Sequence, residues 1–201
     1  MLLQEGVERF IRELREVRMA SVHTVSNYHR DLKKFMDHCP DGLILDDLVR
    51  SDVQDWLVLG HAAGLSPATL ARRLSALRSF LDSAVIAGWC KKNVAAGVLA
   101  PKQSKRLPRA LPPEQTAKLM QSTESKFNLR DAALIAVMYG CGLRVSEVVG
   151  LDMVDIDMSA KELRVLGKGK KERVVPMAGG VVNVLEEYML SRHSLAHAVF
   201  L

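Results

Sequence analysis

Apolar residues recur at helical spacing through the first hundred positions of the chain. Leu3, Val7, Phe10, Ile11 and Leu14 form one stripe, with Glu and Arg on the opposite side, and predict an amphipathic helix over residues 2–17. Ser21 can cap a second helix, whose stripe of Val25, Tyr28, Leu32, Phe35 and Met36 ends at the turn Cys39-Pro-Asp-Gly42. A third helix starts at Ser51 or Asp52 and stops at Gly64. The clearest pattern is LSPATLARRLSALRSFLDSAVIAG. Ser66 is its N-cap, Pro67 its first helical residue, Leu70, Leu74, Leu77, Phe80 and Leu81 its buried face, and Gly88 its terminator.

From Ala100 the periodicity disappears. APKQSKRLPRALPP carries four prolines, four cationic side chains and no acid, the composition of a linker. Helices are then expected over 113–122 and 128–140, with a short one after Arg144. ELRVLGKGKKERVVPM alternates Leu163 and Val165 with Glu162 and Arg164, turns through Gly167 to Lys171, and resumes with Val174 and Val175. It predicts a β-hairpin with a cationic tip. A last helix runs from Gly180 to Arg192, with His193 and His197 expected on its surface. HAVFL at 197–201 has the composition of a strand with nothing to pair it. No internal repeat is present. The pattern gives two domains, residues 1–100 and 112–201, joined by a basic linker at 101–111. The fold class is mainly α: an all-α N-terminal domain followed by an incomplete α+β domain with a small hairpin or sheet.

Composition narrows the function. With 201 residues and 48% hydrophobic content the chain can bury real cores. Its longest apolar run, 132–143, is too short to span a bilayer, and the first five residues lack the basic start of a signal peptide. No membrane partner and a cytoplasmic address are expected. Cys39, Cys90 and Cys141 lack the spacing of a disulfide framework or zinc site and read as reduced, mostly buried thiols, with no metal. GKGKKER lacks the spacing of a nucleotide-binding loop.

The net charge of +5 is mild but unevenly placed. Arg72, Arg73 and Arg78 lie off the leucine face of their helix, where Asp82 is the only acidic helical neighbour. Lys102, Lys105, Arg106 and Arg109 fall in the linker, and Lys168, Lys170 and Lys171 at the hairpin tip. A solvated charged face explains any one cluster. Three clusters on three elements point to a polyanion, and duplex nucleic acid is the expected partner.

Arg144 stands apart from these clusters. It follows Gly140 and Gly142 within an otherwise apolar stretch, and its one nearby acid is Glu147, three residues on. A helical ion pair at that spacing contributes only about 0.2–0.5 kcal/mol, whereas desolvating a guanidinium costs several kcal/mol. Arg144 is therefore either exposed or completed by a stronger anion, for which a phosphate held by the guanidinium fork is the natural candidate. The two glycines permit a sharp turn and close approach of backbone to ligand.

GCGLRVSEVVGLDMVDID followed by LRVLGKGKKERVVPM closely resembles the first arginine box and hairpin of the tyrosine site-specific recombinases, in particular the XerC/XerD type. SVHTVSNYHRDLKKF and ATLARRLSALRSF resemble that family's helical, SAM-like core-binding domain, and the likeness runs through the linker. The resemblance implies an enzyme that exchanges DNA strands through a 3′-phosphotyrosyl intermediate without a cofactor, in chromosome-dimer resolution or DNA integration. It implies double-stranded recombination-site DNA and further recombinase subunits, up to a tetramer, as partners. Arg144 matches the catalytic arginine on the scissile phosphate, where comparable donors contribute roughly 10²–10³ in rate. Glu147 matches the residue that orients it, and Lys168, 24 residues past Arg144, the general acid for the departing 5′-oxygen. Arg72, Arg73, Arg78, Lys102, Lys105, Arg106, Lys170 and Lys171 are then DNA contacts.

The family's second box, His-x-x-Arg, and its tyrosine nucleophile do not occur at matching positions. Near Arg192, Met189 stands where that histidine belongs, and Tyr28, Tyr139 and Tyr188 are not at the nucleophile position. Two expectations follow: the N-terminal portion of a recombinase, inactive alone, or a naturally shortened, non-catalytic module that occupies recombination sites. A helical transcription regulator fits the charge but leaves Arg144, Glu147 and Lys168 unexplained.

Overall fold

The computed structural model describes residues 1–102, 112, 114, 115, 118, 128–167, 169, 171–192 and 194–200. The chain divides into two units, Met1–Arg106 and Leu107–Leu201, each with its own apolar core.

The first unit is helical: α1 (Leu3–Glu16), α2 (Val22–Met36), a 3₁₀ turn at Leu45–Asp47, α3 (Arg50–Ala62) and α4 (Pro67–Ile86). The caps are those the sequence offers. Ser21 Oγ accepts from Thr24 N and Ser66 Oγ from Thr69 N, each satisfying a first-turn donor, and Gly88 follows α4 at φ +71°. The expected stripes of α1 and α4 are buried. Phe10, Phe35 and Phe80 have no exposed surface, and the Phe10 and Phe80 rings meet at 5.6 Å. Gly6 lets α1 approach this centre closely, since a Cβ there would lie 3.0 Å from Leu45 and 3.3 Å from Phe80.

In the second unit, α5 (Asn128–Cys141) packs against α7 (Gly179–Ser191) through Ala133, Val137, Val181 and Leu185. Between them in sequence lie the short α6 (Val145–Val149), a 3₁₀ turn at Met153–Asp155, and strands β1 (Ile156–Asp157), β2 (Glu162–Leu166) and β3 (Glu172–Pro176). The sheet is antiparallel in the order β1-β2-β3. The hairpin was expected, whereas β1 was too short to show a period. Its turn is held by Asp157 Oδ1, which accepts from Ser159 Oγ and Ala160 N. Leu163 and Val165 of β2 face the core opposite Val175 and Arg173. Arg173 therefore stands on the apolar face of the sheet, and Val174 on the solvent face, 57% exposed.

Three expectations are corrected here. The 197–200 stretch does have a partner: Met153 N donates to His197 O, Val199 N donates to Leu151 O, and Val199 is fully buried. α7 ends at Ser191, so His197 lies beyond it, exposed in that extended segment; His193 lies outside the described residues. Gly140 makes room for a helix rather than a ligand, because a Cβ there would sit 2.3 Å from Val181 Cγ2. Gly142, at φ +63°, makes the turn before Arg144. The expected helix over 113–122 lies largely outside the described residues.

Candidate functional site

Arg144 occupies the N-cap of α6 in an extended conformation, and its carbonyl accepts from the amides of Glu147 and Val148. Glu147, at the third helical position, reaches back: its Oε2 accepts from Arg144 N at 2.8 Å, and its Oε1 from Arg144 Nη1 at 2.9 Å. Sequence reasoning missed the third member. Arg173 of β3 donates Nη1 to Glu147 Oε1 at 2.9 Å and Nη2 to Oε2 at 3.0 Å. One carboxylate thus accepts four hydrogen bonds from two arginines and a backbone amide.

Of the two alternatives the sequence left for Arg144, the structure shows the exposed one. Glu147 is the buried charge, its side chain 5% exposed, whereas Arg144 is 73% and Arg173 40% exposed. The bidentate bond from Arg173, then the Arg144 amide and guanidinium, outweigh burial and hold the Glu147 carboxyl down at about 2. The same pair raises the Arg173 guanidinium above its ordinary value. Two permanent cations share one carboxylate, which leaves an excess positive charge. Arg144 Nε and Nη2 meet no acceptor among the described residues. An exposed, pre-oriented guanidinium with spare donors is a receptor for an oxyanion.

The hairpin is fixed at the same point. Gly167 N donates to Lys171 O at 2.7 Å, and a Cβ on Gly167 would lie 3.1 Å from Arg173 Nη1. Gly167 thus packs on the pair and immediately precedes Lys168. Lys168, Lys170, Lys105, Arg106 and Arg109 lie outside the described residues. Lys102 and Lys171 are exposed.

The α4 arginines form no uniform solvated face, and Asp82 is not their partner. Asp31 of α2, invisible to any count along α4, takes a hydrogen bond from Arg72 Nη1 and lies 4.0 Å from Arg73 Nε. Arg73 is only 18% exposed and stacks over Trp56 at 5.9 Å, while Arg78 donates to the carbonyls of Ala95 and Val98. Arg73 and Arg78 hold the helical unit together, and of the three only Arg72 is well exposed. Arg192 is likewise committed to the carbonyls of Ser194, Ala196 and Ala198. Tyr188 is buried with its hydroxyl on Val199 O; Tyr28 packs on Phe10, and Tyr139 is exposed. Among the described residues no cluster of His, Cys, Asp or Glu could hold a metal ion, and no helix is long and apolar enough to cross a membrane. The three cysteines are free thiols, of which only Cys90 is buried.

Residues 7–88 match the model of the phage integrase N-terminal SAM-like domain, and residues 109–201 that of the phage integrase family. The chain belongs to the phage integrase family. Within it the sequence is similar to tyrosine recombinases of the XerC type. It is 34% identical to tyrosine recombinase XerC of Mannheimia succiniciproducens over 94% of this chain and 65% of that protein. It is 36% identical to XerC of Vibrio parahaemolyticus (96% and 64%) and 38% to XerC of Chromobacterium violaceum (94% and 64%). The chain spans less than two thirds of the length of these relatives. Its fold is that of the Tn1549 transposon integrase solved with transposon right end DNA (TM-score 0.81, 20% identity, 100% of this chain and 71% of that one). The λ integrase dimer bound to a COC′ core site is similar too (TM-score 0.77, 21% identity, 94% and 67%). The integrase-family match encloses Arg144, Glu147 and Arg173.

Proposed function

We propose that this chain is the N-terminal portion of a Xer-type tyrosine recombinase, which grips duplex recombination-site DNA and presents half of the phosphate site for strand exchange. The observation that carries this is Arg144: an exposed guanidinium with free donors, anchored from below by a buried carboxylate. In this reading Arg144 holds the scissile phosphate and stabilises charge as the phosphorus becomes pentavalent, Glu147 orients Arg144, and Lys168 gives its proton to the departing 5′-oxygen. A tyrosine oxygen forms the bond to phosphorus as the 5′-oxygen leaves, so no metal or nucleotide cofactor is required.

Residues 1–100 act as the core-binding domain, 101–111 as a basic linker, and 112–201 as the first part of the catalytic domain. Arg72, Lys102, Lys105, Arg106, Lys170 and Lys171 contact DNA. Chromosome-dimer resolution or DNA integration, in the cytoplasm and with other recombinase subunits, is the biological setting. The alternative is a non-catalytic module that occupies recombination sites.

A nicked suicide duplex tests the reading. These 201 residues bind it without forming a covalent adduct, since no tyrosine stands at the family's nucleophile position. A trapped adduct contradicts that assignment, and absence of binding contradicts the proposal as a whole. Reading the frame past Leu201 separates the alternatives: a His-x-x-Arg box and later tyrosine favour the enzyme, and a stop codon favours the module.

A further inference from the structure

Asp31 is 2% exposed, yet it is a carboxylate set between two helices with an arginine on each side. Arg73 is the inner partner, stacked on Trp56 and nearly closed off. Arg72 is the outer one: its Nη1 is tied to Asp31, and its side chain is 46% exposed. The remaining donors of Arg72 meet no acceptor among the described residues. Arg72 borders a notch of about 270 Å³ between α2 and α4, lined also by Thr24, Asn27 and Ser75. Thr24, Asn27 and Asp31 follow one another at helical spacing along α2, so the notch presents polar groups from both helices around one fixed guanidinium.

At Arg144 an anchored guanidinium suits the single phosphate at which reaction is proposed, but Arg72 belongs to the helical unit, where phosphates along a duplex are served by any mobile surface cation and a neighbouring carboxylate weakens that attraction. A buried carboxylate does something else for Arg72: it fixes the plane of the fork before any ligand arrives, which matters where two parallel hydrogen bonds must be made at once. On duplex DNA that target is the O6/N7 edge of guanine, in a major groove wide enough to admit a helix. We propose that Arg72, positioned by Asp31, reads a guanine in the major groove and is a specificity-determining residue, an inference that rests on the DNA-binding reading above.

The test is selection of preferred duplexes from a randomised library by the wild-type chain, R72K and D31N, with affinity for an unselected duplex measured alongside. R72K keeps the charge and removes the fork. The wild type should select a motif containing a guanine. R72K should lose discrimination at that one position, on the order of ten- to a hundredfold, with the rest of the motif intact. D31N should weaken the same position, although removing a negative charge by itself strengthens binding to any duplex. Motifs unchanged in R72K, or a wild type that binds duplexes without preference, overturn the inference and leave DNA binding standing. If D31N melts earlier but selects the wild-type motif, Asp31 has a structural role only and its positioning role is refuted. A wild type that binds no duplex overturns the DNA-binding reading itself, and the inference with it.

Discussion

Arg173 grips both carboxylate oxygens of Glu147, 26 residues earlier in the chain, and so ties strand β3 to the turn that carries Arg144. Replacing Arg173 by Met leaves a nearly sealed carboxylate with two of its four hydrogen bonds gone. R173M should therefore lower the Tm by several degrees, while R173K, which keeps the charge but not the fork, should fall between it and the wild type. Differential scanning calorimetry of the three proteins checks the order; equal melting temperatures would mean that the pair contributes nothing.

The same bonds set an acid limit. Glu147 is held at about 2, below the ordinary carboxylate value, so its contribution to stability is fully present above the unfolded-state value and is lost as the pH falls toward about 2. E147Q should be less stable than the wild type near neutrality and should show a flatter decline of Tm between pH 5 and about 2. Parallel curves for the two proteins would contradict the assignment.

Gly140 is a packing residue of the α5–α7 contact. In G140A the new methyl would have to displace Val181 Cγ2 from 2.3 Å, and a β-branched side chain yields little. The expected loss is about 1–3 kcal/mol by urea denaturation, as for overpacking in general. V181A in the same chain should restore part of it; an additive double mutant would place the strain elsewhere.

Arg78 separates fold from DNA contact within α4. Its hydrogen bonds to the carbonyls of Ala95 and Val98 brace the segment after Gly88. R78A should cost about 1–3 kcal/mol of stability with little change in the salt dependence of duplex binding. A drop in that dependence with unchanged stability would return Arg78 to the interface.

The helices were legible because their signals are local. Ser21 and Ser66 cap, Gly88 terminates, and the stripes of α1 and α4 became cores at the named positions. Arg144, Glu147 and their N-cap relationship were also within reach, since three residues separate them. The misses lie where a partner comes from another element. Asp31 meets Arg72 from 41 residues away and Arg173 meets Glu147 from 26, distances that no helical or strand period encodes. One signal for Arg173 was available: in the hairpin register it falls opposite Val165, so an arginine on a core-facing position required a buried acid.

The salt dependence of duplex binding by the wild type and R144A tests most directly whether Arg144 is a phosphate ligand. Wild-type affinity should fall linearly on a log-log plot, and in R144A the slope should be shallower by about one phosphate contact, roughly 0.9. An R144A slope identical to that of the wild type, in a protein with an unchanged Tm, would contradict that role.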